Sequence, residues 1–173
     1  MTEEFKRFLA LFDSMVRYSH RWIGLMDEQK LDWAPIENPS MRFGSRLSRI
    51  TVRGLLIHCA LAERNFVTRI RESAPGATVP LPNDPIAAAR FENADLQQTA
   101  LTLHEENMAA LKSYRAEDLT KKLQFVGREW TGMGLLWGMY AHRSFHLGNI
   151  DIYLRQSDVV APEFFEFDSL VLG

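Results

Sequence analysis

An all-α fold, a four-helix bundle with a long crossover connection, is the architecture this sequence predicts. Three observations predict it. Four long segments carry apolar residues at intervals of three and four. The stretches between them are broken by proline and glycine. Two of the segments open on a threonine placed to cap a helix. The 173 residues are 46% hydrophobic and 24% charged, enough to enclose one core. Residues 1–173 are therefore expected to form a single helical-bundle domain.

In the first segment Phe5, Phe8, Leu9, Phe12, Met15, Val16, Trp22, Ile23 and Met26 mark one face. It is expected to run from about Thr2 to about Asp27. Lys30 to Ser48 contains Pro35, Pro39 and Gly44 and reads as a long loop, the place expected for the crossover. The second helix is expected to start on Thr51 and to end before Pro75-Gly76. The four prolines between Pro75 and Pro85 enforce a second loop.

A third helix is expected from about Pro85, a residue suited to a first turn, to about Tyr114. Phe91, Ala94, Leu101, His104, Met108 and Leu111 mark its face. A short irregular or extended piece holding Leu123, Phe125 and Val126 then ends at Gly127. The fourth helix is expected to start on Thr131 and to reach about Arg155. Gly132, Gly134 and Gly138 weaken its first turns, and close helix approach is one reason to keep them. The tail after Pro162 holds Phe164, Phe165, Phe167, Leu170, Val171 and Leu172. It is expected to cover the bundle or a partner subunit, so a homodimer is anticipated.

A net charge of -2 speaks against nucleic acid and against an anionic membrane surface as partners. No window reaches the ~18 apolar residues of a membrane span. The N-terminus starts acidic, and Cys59 is the one cysteine, so no internal disulfide forms. A cytoplasmic location is the expectation.

His142 and His146 stand four apart on the apolar stripe of the fourth helix, with Leu135, Met139 and Ile150. Two inward imidazoles one turn apart can hold one metal ion. The same spacing also occurs in core histidines that hydrogen-bond to polar neighbours. A third ligand would have to come from a neighbouring helix. His58 is the candidate, because Leu55, His58 and Ala62 share one side of the second helix.

The segment from Leu135 to Ile150 resembles the final-helix signature of the DinB-like superfamily. That signature is an apolar run, H-x-x-x-H, then x-G-Q and an apolar residue. The run from Thr51 to His58, followed by Glu63, resembles the second-helix signature. Trp33-Ala34-Pro35 and Gly127-Arg128-Glu129-Trp130-Thr131 also stand where such proteins carry similar residues. Asn149 departs from the pattern, which often has glutamine there.

The resemblance implies a four-helix bundle with a crossover, and His58, His142 and His146 as ligands of one divalent transition metal. Zinc or nickel is expected first, with iron and manganese also accepting imidazole. Relatives include low-molecular-weight thiol S-transferases, a thiol-dependent maleylpyruvate isomerase and proteins resembling metal-dependent hydrolases. The implied function is a metal-dependent enzyme that activates a thiol or water toward a small-molecule substrate, with a low-molecular-weight thiol as a candidate partner. The alternative is a non-catalytic, metal-stabilised stress or binding protein. No general base is assigned.

Five other features are weighed beside the triad. His104 is read as a core histidine rather than a fourth ligand, and His20 as a boundary residue. Glu63 is expected to pair with an arginine. Cys59 points about 100° from His58 on a helix and reads as a small core residue. Arg42, Arg46, Arg49 and Arg53 form one basic cluster, read first as a solvated loop and second as an anchor for a carboxylate-bearing substrate.

Overall fold

The computed structural model describes residues 1–34, 42–43, 46–47, 50–92 and 94–163, and of 42–43 and 46–47 it describes the backbone. Four long helices dominate: α1 (Glu3–Ile23), α2 (Val52–Glu72), α4 (Leu96–Lys112) and α6 (Gly132–Gln156). Between them lie α3 (Pro85–Ala89), α5 (Ala116–Thr120) and two small antiparallel ribbons. One ribbon pairs β1 (Arg42–Phe43) with β2 (Arg46–Leu47), and the other pairs β3 (Lys122–Phe125) with β4 (Arg128–Thr131). No helix among the described residues is long and apolar enough to cross a membrane.

The helix starts follow the cap chemistry. Thr2, Thr51 and Thr131 each accept a hydrogen bond from the backbone N–H three residues on. Glu3 and Glu4 complement the positive end of α1, and Arg21 its negative end. The α-helical path stops at Ile23 rather than at Asp27. The N–H groups of Leu25 and Met26 bond three residues back, to Trp22 and Ile23, so the last turn tightens.

The third helix is split, contrary to the single run expected from Pro85 to Tyr114. Asp84 caps α3, and Asp95 caps a new start by accepting from the Gln98 N–H. An aspartate that satisfies the backbone from its own side chain favours a fresh cap over a continued helix. The intervening Phe91 still packs against the core, which is why it keeps the helical spacing without being helical.

The bundle has an up-down-down-up order. Side chains that meet fix the directions. Ile50 with Tyr153, His58 with His142 and Ile70 with Gly132 show that α2 and α6 are antiparallel. Trp137 with Glu4 and Arg143 with Ser19 make α6 parallel to α1. Arg64 with Glu106 and Arg71 with Ser113 make α4 parallel to α2. Each of α1 and α2 packs on both α4 and α6, so α1 and α2 are diagonal. Two long connections result. The one holding Lys30 to Ser48 bridges the diagonal, much of it outside the described residues. Residues 73–95 run back along the bundle to join the parallel α2 and α4.

The expected extended piece is a hairpin. Val126 and Gly127 link β3 to β4 with φ of 50° and 69°, the two positive values of a type I′ turn. Residues 76–79 dock on its free edge, where the Gly76 and Val79 N–H groups bond to Lys122 O (2.7 Å) and Gln124 O (2.8 Å). The glycines of α6 separate into two kinds. A Cβ on Gly132 would lie 1.9 Å from the Asp118 carbonyl oxygen, so the start of α6 presses on α5. A Cβ on Gly138 would meet nothing within 4 Å. The expected covering role of residues 164–172 lies outside the described residues; up to Glu163 the chain folds back, its carbonyl accepting from the Tyr18 hydroxyl.

Candidate metal centre

The three predicted histidines converge. His58 projects from α2, and His142 and His146 from successive turns of α6. His142 Nε2 lies 3.0 Å from His58 Nε2 and 3.1 Å from His146 Nε2. The ligand atoms of all three lie within 4.8 Å of one another. His146 is buried, and His58 and His142 are half-buried. Among the described residues no aspartate, glutamate, cysteine or fourth histidine joins this group.

The electrostatics keep the rings neutral. Burial, and then the neighbouring His146, pull the His58 pKa down to about 4. Burial, then His146, His58 and Arg143, pull His142 down to about 4. His146 is lowered by burial, and its contact with Asn149 opposes the shift. A neutral imidazole carries one lone pair, which is the form a metal takes.

The protons favour a cation at the centre. His146 Nδ1 lies 3.3 Å from Asn149 Oδ1, an acceptor, so the ring proton belongs on Nδ1 and the lone pair on Nε2. That lone pair faces His142 Nε2 at 3.1 Å. His142 Nε2 has one site to offer, yet it meets two neighbours. A proton on it serves one contact and leaves the other poorly matched. A cation among the three nitrogens resolves the conflict. The spacing suits this too: bonds of about 2.0–2.1 Å at tetrahedral angles put imidazole nitrogens roughly 3.3 Å apart.

Glu63 does not reach the cluster. Five residues beyond His58, it turns to the next side of α2 and meets Arg143. Arg143 donates from Nε and Nη2 to its two oxygens at 2.6 and 2.7 Å, and from Nη1 to Ser19 Oγ at 3.1 Å. Burial works against the guanidinium charge, but the facing carboxylate outweighs it and the Arg143 pKa is held above its ordinary value. This fork ties α1, α2 and α6 together behind His142. The arginine expected for Glu63 is thus the residue next to a candidate ligand. The sequence held a clue: an acid on an inward face needs a cation from another helix.

His104, 1% exposed, bonds to Asp13 Oδ1 at 2.8 Å and takes no part in the cluster. His20 is 5% exposed, more deeply buried than a boundary residue. Burial, then the Arg143 charge, lower its pKa to about 4, against the pull of the nearby Gln97 amide; neither ring nitrogen meets hydrogen-bond geometry with a neighbour. Cys59 is a core residue whose thiol burial pushes up to about 12, so it is a poor ligand and a poor nucleophile. In the basic cluster, Arg53 pairs with Asp32 at 2.8 Å. The side chains of Arg42 and Arg46, and all of Arg49, lie outside the described residues.

A cavity of about 270 Å³ opens beside His58 and His142. Its floor is built in rungs across the antiparallel pair. Ala62 and Gly138 stand one turn from His58 and His142, and Phe66 and Leu135 about one turn further. The hairpin supplies Phe125 and Trp130, and the long connection Leu81 and Pro82. No spacing along the chain brings the hairpin here, because that contact depends on how residues 73–95 return along the bundle.

A bundle of four long helices around a three-histidine cluster is the class of protein that fold and site define. Residues 4–150 match the DinB superfamily, and the chain belongs to that superfamily. The DinB-like protein YjoA from Bacillus subtilis shares its fold at 20% identity, with a TM-score of 0.62 over 94% of this chain and 97% of that one. YfiT from Bacillus subtilis aligns at 16% identity, with a TM-score of 0.67 over 92% of this chain and 91% of that one. It is described as a probable metal-dependent hydrolase with an unusual four-helix bundle topology. No protein with a curated description matches the chain significantly.

Proposed function

We propose that the protein is a divalent-metal-dependent enzyme that activates a thiol or water toward a small-molecule substrate, as a thiol S-transferase or a hydrolase. The observation that carries this reading is the donor set. Three neutral imidazoles meet with no fourth protein ligand among the described residues, beside an open cavity. Structural zinc sites are usually closed by four protein ligands, whereas catalytic sites leave a position for water or substrate. A divalent ion bound there would lower the pKa of a thiol or water and polarise an acceptor group.

His58, His142 and His146 would hold the ion through Nε2. Asn149 fixes the tautomer of His146. Arg143 and Glu63 hold the α2–α6 register on which the distance from His58 to His142 depends. Zinc and nickel suit an all-imidazole set best, and iron and manganese also bind imidazole. His104, the residue whose entry would have closed the sphere and favoured a structural metal, is committed to Asp13.

The test is paired activity on chelated and reloaded protein. Conjugation of a small thiol to an activated electrophile is assayed beside hydrolysis of activated esters and amides. Turnover that needs the metal, and that His142→Ala loses, is the expected result. A fully loaded protein inactive in both assays would remove the catalytic reading and leave the metal-stabilised binding protein.

A further inference from the structure

We infer that the apolar wall of the cavity beside the histidine cluster selects an uncharged aromatic group of one or two fused rings. The inference rests on the proposed function in taking this cavity as the approach to the metal; it adds the class of molecule that fills it.

The chemistry of the walls carries the argument. Apart from His58 and His142, every lining residue presents carbon or an occupied polar group. The Trp130 indole N–H donates to the Phe125 carbonyl. No charged side chain among the described residues lines the space. The nearest buried cation, Arg143, is spent on Glu63 and Ser19. Away from the histidines, a charged ligand group would lose its hydration here and gain no partner among the described residues.

Shape narrows the class further. Phe66 and Phe125 meet edge to face with centroids 5.0 Å apart, and Trp130 stands beside them. Aromatic rings favour offset or edge contacts with such a wall. An apolar cavity of about 150 Å³ suffices for benzene, so 270 Å³ admits a somewhat larger ring system. The space exists because Ala62 and Gly138 are small where larger residues would fill it. The Gly138 position faces open room.

The outer wall is set in place before any ligand arrives. Residues 76–79 are laced to β3, and the Asn65 amide donates to the Pro80 carbonyl at 2.8 Å. That holds Leu81 at the mouth, where it is 68% exposed. A large apolar side chain fixed in water at the rim of an apolar cavity gains by being covered.

The experiment is calorimetric titration of 1-naphthol, uncharged at neutral pH, beside 1-naphthalenesulfonate, its anionic counterpart. It is run on the protein as purified and after chelation, with metal uptake measured on the same preparation. Saturable 1-naphthol binding with a stoichiometry of about one is expected in both states, and in the chelated protein, where no ion holds the sulfonate, it is expected to be at least about tenfold tighter than the sulfonate. Gly138→Leu fills the cavity and is expected to weaken 1-naphthol at least about tenfold without changing metal uptake. Leu81→Glu alters only an exposed rim residue, so the fold is not at stake, and is expected to weaken it by about fivefold. Absence of saturable binding, equal affinity for the sulfonate in the chelated protein, or full affinity in both variants would overturn the inference. Metal uptake without 1-naphthol binding sinks this inference alone, and 1-naphthol binding without metal uptake sinks the metal reading alone.

Discussion

Replacing Glu63 by glutamine should destabilise the protein more than any other single-atom-scale change near the site. The substitution keeps the shape and removes the charge. Arg143 would then be a full cation with its side chain 4% exposed, facing an amide that can accept at one atom and must offer N–H at the other. Two charge-assisted bonds of 2.6 and 2.7 Å are affected. Breaking a buried ion pair from one side costs about 3–5 kcal/mol. At about 2–4 °C per kcal/mol for a chain of this size, Tm should fall by roughly 6–20 °C. The assay is thermal and urea unfolding of chelated protein, so that metal binding adds nothing to the folded state. Arg143→Met should cost a similar amount by stranding Glu63. The double variant Glu63→Met/Arg143→Met removes both charges and should recover most of the loss, giving a coupling of at least about 2 kcal/mol. A Glu63→Gln cost under about 1 kcal/mol, or single costs that simply add, would refute the claim that this pair is a coupled, buried lock.

Other outcomes follow from the same structure. Val126 holds φ of 50° in an exposed turn, a conformation that costs a β-branched residue about 1–3 kcal/mol; Val126→Asn should raise stability by about 1 kcal/mol and Tm by roughly 2–4 °C, measured by thermal melts. Gly132→Ala should destabilise by at least about 2 kcal/mol in urea unfolding, because its Cβ strikes the Asp118 carbonyl, whereas Gly138→Ala should gain about 0.5–1 kcal/mol of helix propensity. His20 titrates at about 4 when folded and near 6.5 when unfolded, so between those values the unfolded chain binds more protons and stability falls as pH falls; His20 alone should take away about 2 kcal/mol between pH 7 and 5 in chelated protein, a loss that His20→Asn reduces. Asn149→Ala frees the His146 tautomer and should weaken metal affinity by about 10–100-fold in competition with a chelator, with unchanged helicity by circular dichroism.

The four long helices and their threonine caps were legible because amphipathic spacing and cap chemistry are local. The histidine triad was legible for a related reason. His142 and His146 share a face by spacing, His58 shares one side of the second helix with Leu55 and Ala62, and resemblance to a known family pointed to the same three residues. What was not legible depended on competition or on distant contacts. The split between α3 and α4 turns on Asp95, whose cap competes with a periodic pattern that favours continuation. The hairpin turn was hidden because Val126 is not a residue that prefers positive φ. The direction of α4 follows from the return of residues 73–95, which no local pattern encodes. The pairing of Glu63 with an arginine was foreseen from its inward placement, but Arg143 among the fifteen arginines was not. Asn149, read from sequence as a departure outside the triad, proves to touch His146 directly.

The central claim is that His58, His142 and His146 hold one metal ion, and elemental analysis of untagged protein tests it most directly. The account predicts about one equivalent of a divalent transition metal in the wild type, lost in His58→Ala and His142→Ala while both variants stay helical. A folded wild type that contains no metal and takes up neither zinc nor nickel would contradict it.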